Sequence, residues 1–144
     1  MDGNSAEVLH KPMLVTKKTD YAVRCVLHLA GNGARISNVT EISSAMFIPK
    51  LFLAKILQRL VKAKIVESTR GMNGGFRLAR KPKDISLLDI MDAIQGRADI
   101  AECAVDKNVC GRSGMCSVHP VWVNLRKEVE QRLQSETIDK LIGT

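Results

Sequence analysis

Residues 37–78 read SNVTEISSAMFIPKLFLAKILQRLVKAKIVESTRGMNGGFRL, and the fold turns on this stretch. Ser37 or Asn38 can cap a short helix through Ala45 that buries Val39 and Ile42. Phe47-Ile48 makes a turn, and Pro49 suits the first position of a second helix. In that helix Leu53, Ile56, Leu57, Leu60 and Val61 recur on one face, while Lys50, Ala54, Lys55, Gln58, Arg59 and Lys62 lie largely off it. Two short helices across a tight turn, the second basic on its outer side, describe a helix-turn-helix. Ile65–Thr69 then has strand character, the glycine-rich turn 70–75 follows, and Phe76-Arg77-Leu78 returns as a second strand. A hairpin with basic flanks in that position is a wing. Its glycines let backbone approach a duplex closely at Gly74, and Arg70 or Arg77 can reach a phosphate or a narrow minor groove. The bland alternative is a surface hairpin packed on the core. No GxGxxG or GK[ST] pattern accompanies Gly74-Gly75, so a nucleotide cradle is excluded.

Working outward, residues 1–12 are polar and without period and read as a disordered tail, with Met13 as an alternative start of the natural chain. Thr19 can cap a first helix, with Asp20 at the positive end of its dipole. Ala22, Cys25, Val26 and Leu29 carry its apolar stripe until Gly31 and Gly33 stop it, which makes Cys25 a small core residue. After Pro82, Ser86 and Asp89 form a capping-box-like pair for a helix through Gln95, stopped by Gly96. Pro120 opens a long amphipathic helix with Val121, Leu125, Val129 and Leu133 on one stripe. Such a stripe after a small domain needs a partner, and dimerisation is its natural use. Thr137 caps a short terminal helix with Ile138, Leu141 and Ile142.

The chain has 144 residues, is 45% hydrophobic and 26% charged, and reads as a soluble globular domain with an aliphatic core. Its longest stretch without Asp, Glu, Lys or Arg, residues 113–125, falls short of the ~20 residues of a membrane span. No apolar signal-peptide core opens the chain, so the expectation is a cytoplasmic protein without a membrane partner. Residues 1–80 hold 13 Lys/Arg against 5 Asp/Glu, a charge of +8, whereas residues 81–144 hold 9 against 10, a charge of −1. A positive field confined to one half suits a polyanion, most simply double-stranded DNA; a basic surface kept for solubility is the alternative.

The segment 97–119 has little periodicity and carries Cys103-x6-Cys110-x5-Cys116-x2-His119. In a chain without a secretory signal, that cluster reads as a metal or redox site rather than a disulfide framework. Zinc and an iron–sulfur cluster both fit these donors, and spacing does not decide between them. Incidental surface cysteines are the bland alternative, though exposed thiols invite oxidation. His119 either ligates or simply caps the following helix or faces solvent.

The chain resembles the winged-helix transcription regulators typified by IscR and the nitric-oxide-sensing NsrR. The resemblance runs from about Met13 to Leu141 and rests on Thr19-Asp20-Tyr21-Ala22-Val23-Arg24, on Leu53-Ala54-Lys55-Ile56-Leu57-Gln58-Arg59-Leu60, on Arg70-Gly71-x-x-Gly74-Gly75-Phe76-x-Leu78-Ala79, and on Cys116-Ser117-Val118-His119-Pro120-Val121-Trp122. It implies a homodimeric DNA-binding regulator, a repressor, with no catalytic residues. It further implies a 2Fe–2S cluster on Cys103, Cys110, Cys116 and His119. The alternative it implies is a 4Fe–4S cluster on the cysteines with Asp20 of the other subunit as fourth ligand. Two positions depart from the relatives: Lys64 stands where they usually have a helix-ending glycine, and Ala54 stands where IscR has glutamate. An apolar residue can meet a thymine methyl, whereas glutamate accepts from cytosine.

The expected architecture is mainly α with a small β wing. A winged helix-turn-helix domain occupies residues 13–82, and a linking helix and cluster-binding loop occupy 83–119. A dimerisation helix and C-terminal segment occupy 120–144. Lys50, Ala54, Lys55, Gln58, Arg59, Arg70, Gly74 and Arg77 are the expected DNA contacts. The rival readings are a zinc- or thiol-based switch on the same fold and a small electron-transfer protein.

Overall fold

In the computed structural model, which describes residues 14–96 and 117–142, the first helix α1 spans Lys17–Gly31. Its cap is Thr16 rather than the expected Thr19, the Thr16 hydroxyl accepting from the Thr19 N–H at 3.2 Å. Thr19 is itself buried and donates its hydroxyl to Gln95 Oε1 at 2.6 Å. Gln95 Oε1 also accepts from Thr16 N, and Gln95 Nε2 donates to Leu14 O, both at 3.0 Å. One amide from the far side of the chain therefore holds the start of α1. Ala22, Cys25, Val26 and Leu29 are fully buried, as their spacing requires.

Helix α2, Val39–Met46, is capped by Asn38, whose Oδ1 accepts from Glu41 N at 2.9 Å. Phe47 ends it in the left-handed conformation, φ 55°. Pro49 is the cap of α3, Lys50–Lys62, and not its first helical residue. Leu53, Ile56, Leu57 and Leu60 are buried under α1 and α2. The chain leaves α3 through Lys64 at φ 61°, the conformation a glycine would take without cost. Arg80 braces this turn by donating to the carbonyls of Ala63 at 2.9 Å and Lys64 at 3.1 Å. A cation on the last carbonyls of a helix is favourable and offsets part of the strain.

Strands β1, Val66–Thr69, and β2, Gly75–Leu78, pair antiparallel with Val66 opposite Leu78 and Thr69 opposite Gly75. Ser37 extends this ladder, exchanging main-chain bonds with Phe76 at 2.8 and 2.9 Å. The wing is thereby anchored to the entrance of α2. A 3-10 turn at Pro82–Asp84 leads to α4, Leu87–Ile94, which carries the expected capping box between Ser86 and Asp89.

Helix α5, His119–Ser135, contributes no buried residue. Helix α6, Ile138–Ile142, does: Ile138 is fully buried in the same core as Leu29, Leu57 and Ile90. Main-chain bonds from Leu87 N to Glu136 O and from Ile138 N to Ile85 O, both 2.9 Å, lock α6 beside α4. The C-terminal segment thus completes the winged-helix core, although the sequence groups it with the dimerisation helix. The expected tail at 1–12 lies outside the described residues, as does most of the cysteine segment.

Candidate DNA-reading surface and cluster loop

The buried stripe of α3 fixes which side chains its other face offers. Lys50, Ala54, Lys55, Gln58 and Arg59 are all exposed. Arg59 departs from the rest: its Nη1 donates to the main-chain oxygen of Ile94 at 2.8 Å. That bond turns its guanidinium toward the end of α4 and occupies it there, a tertiary role the sequence reading missed. Leu51 was missed as well. It is 85% exposed in the first turn of α3, on the side of Ala54, Lys55 and Gln58.

On the wing, Arg70 is exposed beside the tip, and Met72 stands at the tip itself. Arg77 is committed to a cross-strand ion pair, its Nε 2.5 Å from Glu67 Oε1. The two adjacent glycines have reasons within the chain. A Cβ on Gly74 would fall 2.1 Å from Thr69 O, and one on Gly75 would fall 2.5 Å from Ser37 O. Both contacts are with backbone that cannot yield, so these glycines are required by the hairpin and its anchorage before any duplex approaches.

Cys103, Cys110 and Cys116 lie outside the described residues. Among the described residues no three His, Cys, Asp or Glu side chains gather into a metal-holding group. His119, at the first position of α5, has its Nδ1 buried without a hydrogen-bond partner among the described residues. Asp20 is exposed in the first turn of α1 and pairs with Arg24 at 2.8 Å. The Arg24 guanidinium in turn lies 5.6 Å from the centre of the Tyr21 ring. Cys25 is fully buried, and desolvation pushes its thiol up from 9.0 to about 12. No helix among the described residues is long and apolar enough to cross a membrane.

A basic reading helix, an anchored wing and a following long helix are the parts of a winged-helix regulator, and comparison with known families agrees. Residues 15–144 match the Rrf2 family, described as iron-dependent transcriptional regulators. This chain belongs to the Rrf2 family. It is similar to the HTH-type transcriptional regulator NsrR of Bacillus subtilis, 33% identical over 111 residues that make up 76% of each chain. The structure of IscR of T. potens is 28% identical and superposes with a TM-score of 0.69, covering 91% of this chain and 87% of that one. The structure of CymR, the global cysteine regulator of B. subtilis, superposes with a TM-score of 0.75 at 22% identity, covering 92% and 98%. The Rrf2 chain is therefore a DNA-binding transcriptional regulator of winged-helix fold, in a family of regulators rather than enzymes.

Proposed function

We propose that this Rrf2 protein is a cytoplasmic, homodimeric, sequence-specific repressor whose DNA affinity is set by an iron–sulfur cluster on its 97–119 segment. His119 carries the reading. It follows Cys116 by three positions, and its buried Nδ1 lacks a partner among the described residues. Leaving a buried polar nitrogen unpaired costs about 1–3 kcal/mol. Serving as a metal ligand is a use that would recover this cost. Cys103, Cys110, Cys116 and His119 would hold a 2Fe–2S cluster; Asp20 of the other subunit is the fourth donor of the 4Fe–4S alternative, and here it is engaged by Arg24. When bound, such a cluster supplies sensitivity to oxidants, nitric oxide or iron supply.

The protein's own residues do the rest. Lys50, Ala54, Lys55 and Gln58 face base edges in the major groove, while Arg70 and the backbone at Gly74 meet phosphates or the minor groove. Arg77 reaches a phosphate only by leaving Glu67. Val121 and Leu125, 54% and 37% exposed, begin the stripe that packs α5 against its copy. The Arg59–Ile94 bond ties α3 to the last turn of α4, the helix that precedes the 97–119 segment, and would couple cluster binding there to the reading helix.

Titrating a duplex selected from a random library with protein purified without oxygen, before and after chelation of its iron, tests this. The reading expects a change of about tenfold or more in affinity, and loss of iron from His119→Ala. Equal affinities, or zinc in place of iron and sulfide, would instead support the zinc- or thiol-based switch.

A further inference from the structure

Among the described residues, three large apolar side chains are at least 85% exposed: Phe47 at 85%, Leu51 at 85% and Met72 at 104%. None belongs to α5. Phe47 lies in the turn of the helix-turn-helix, Leu51 in the first turn of α3, and Met72 at the wing tip. A lone exposed leucine needs no explanation, but three such residues in the helix-turn-helix and its wing do.

Leu51 is the sharpest case. It shares the spacing i, i+3, i+4, i+7 with Ala54, Lys55 and Gln58, so all four side chains occupy one face of α3. That face is opposite the buried Leu53, Ile56, Leu57 and Leu60. Lys50 and Lys55 flank the Leu51–Ala54 pair. An apolar protein partner would call for a wider hydrocarbon stripe, whereas a polyanion carrying isolated apolar groups matches both the lysines and the pair between them. Neither Leu nor Ala has a hydrogen-bond donor or acceptor in its side chain. They can discriminate among bases only by apolar contact, and the apolar group on the major-groove edge is the thymine 5-methyl.

We propose that Leu51 and Ala54 read thymine methyl groups, so that each operator half-site carries thymine where the first two turns of α3 enter the major groove. This rests on the DNA-binding surface proposed above and adds what that surface recognises.

The test begins by selecting duplexes from a random library with the full-length protein, then replacing each thymine of the best site by uracil. Uracil keeps the pairing and removes only the methyl. We expect one or two positions per half-site where the replacement weakens binding about fourfold, the factor that burial of one methyl group corresponds to. In Leu51→Ser or Ala54→Ser that penalty should vanish at one of those positions, while the salt dependence of binding stays as in the parent. Both residues are exposed, and a thermal melt checks that the variants stay folded. Tight, selective binding with no uracil-sensitive position would overturn the inference and leave the DNA-binding reading intact. A penalty that persists in both serine variants would overturn it too, as would a loss of dimer mass in Leu51→Ser with the uracil penalties unchanged. Selection of no sequence at all would remove both readings together.

Discussion

The guanidinium of Arg59 donates to the main-chain oxygen of Ile94 at 2.8 Å, fastening the last turn of the reading helix to the last turn of α4. This residue sits on the basic face by sequence and on the protein's own backbone by structure. Arg59→Met should therefore cost stability, about 1 kcal/mol for a part-buried charged hydrogen bond, in urea melts. It should leave the slope of log affinity against log salt unchanged, whereas Arg70→Met, at a residue assigned to phosphate, should reduce that slope by about 0.9. Equal slope changes in the two variants would return Arg59 to the duplex.

Gly74 and Gly71 occupy the same turn under different constraints. A Cβ at Gly74 meets Thr69 O at 2.1 Å, while one at Gly71 meets nothing within 4 Å and bears only the strain of φ 111°. Gly74→Ala should open the hairpin and destabilise by about 2 kcal/mol or more. Gly71→Ala should cost about 1 kcal/mol. Urea midpoints rank the two, and a larger loss in Gly71→Ala would contradict this account of the wing.

Cys25 should resist alkylation in the folded protein at about pH 8 and react once unfolded, because burial disfavours its thiolate. The linkage has a definite sign. The folded thiol titrates near 12 and the unfolded one near 9.0, so between these values the unfolded chain has lost a proton the folded chain keeps. Its contribution is full below the unfolded value and declines as pH rises, with a slope approaching about 1.4 kcal/mol per pH unit. Denaturation across that window should show Cys25→Ala lacking this decline. Parallel pH profiles for parent and variant would contradict it.

Leu125 is 37% exposed on a helix with no fully buried residue in its own protomer. Leu125→Asp should convert the dimer to a monomer in light scattering while circular dichroism and thermal stability of the winged-helix core change little. Retention of the dimer would move the interface elsewhere.

Much of this architecture was legible because its signals are local. The stripe Leu53, Ile56, Leu57 and Leu60, the Asn38 cap and the Ser86–Asp89 box each declare themselves within a turn or two, and the structure realises them. What sequence reading missed depends on distant partners. Thr16 and Thr19 offer equally good caps, and what assigns them is Gln95, which binds both from 79 and 76 residues away. Ile138 belongs to the core only because the chain returns to α1 and the 3-10 turn at Pro82–Asp84. Arg59 is legible as basic and exposed, but the carbonyl it binds is not written in its neighbourhood. Leu51 escaped notice because an apolar residue on a basic face matches neither the core pattern nor the charge pattern.

Native mass spectrometry of protein purified without oxygen decides whether the 97–119 segment holds a cluster. The expected species is a dimer carrying iron and sulfide on each chain, with the mass of 2Fe–2S if His119 completes the site and of 4Fe–4S if Asp20 does. A dimer holding only zinc, or no metal, would contradict cluster sensing and leave a DNA-binding regulator switched by zinc or by its thiols.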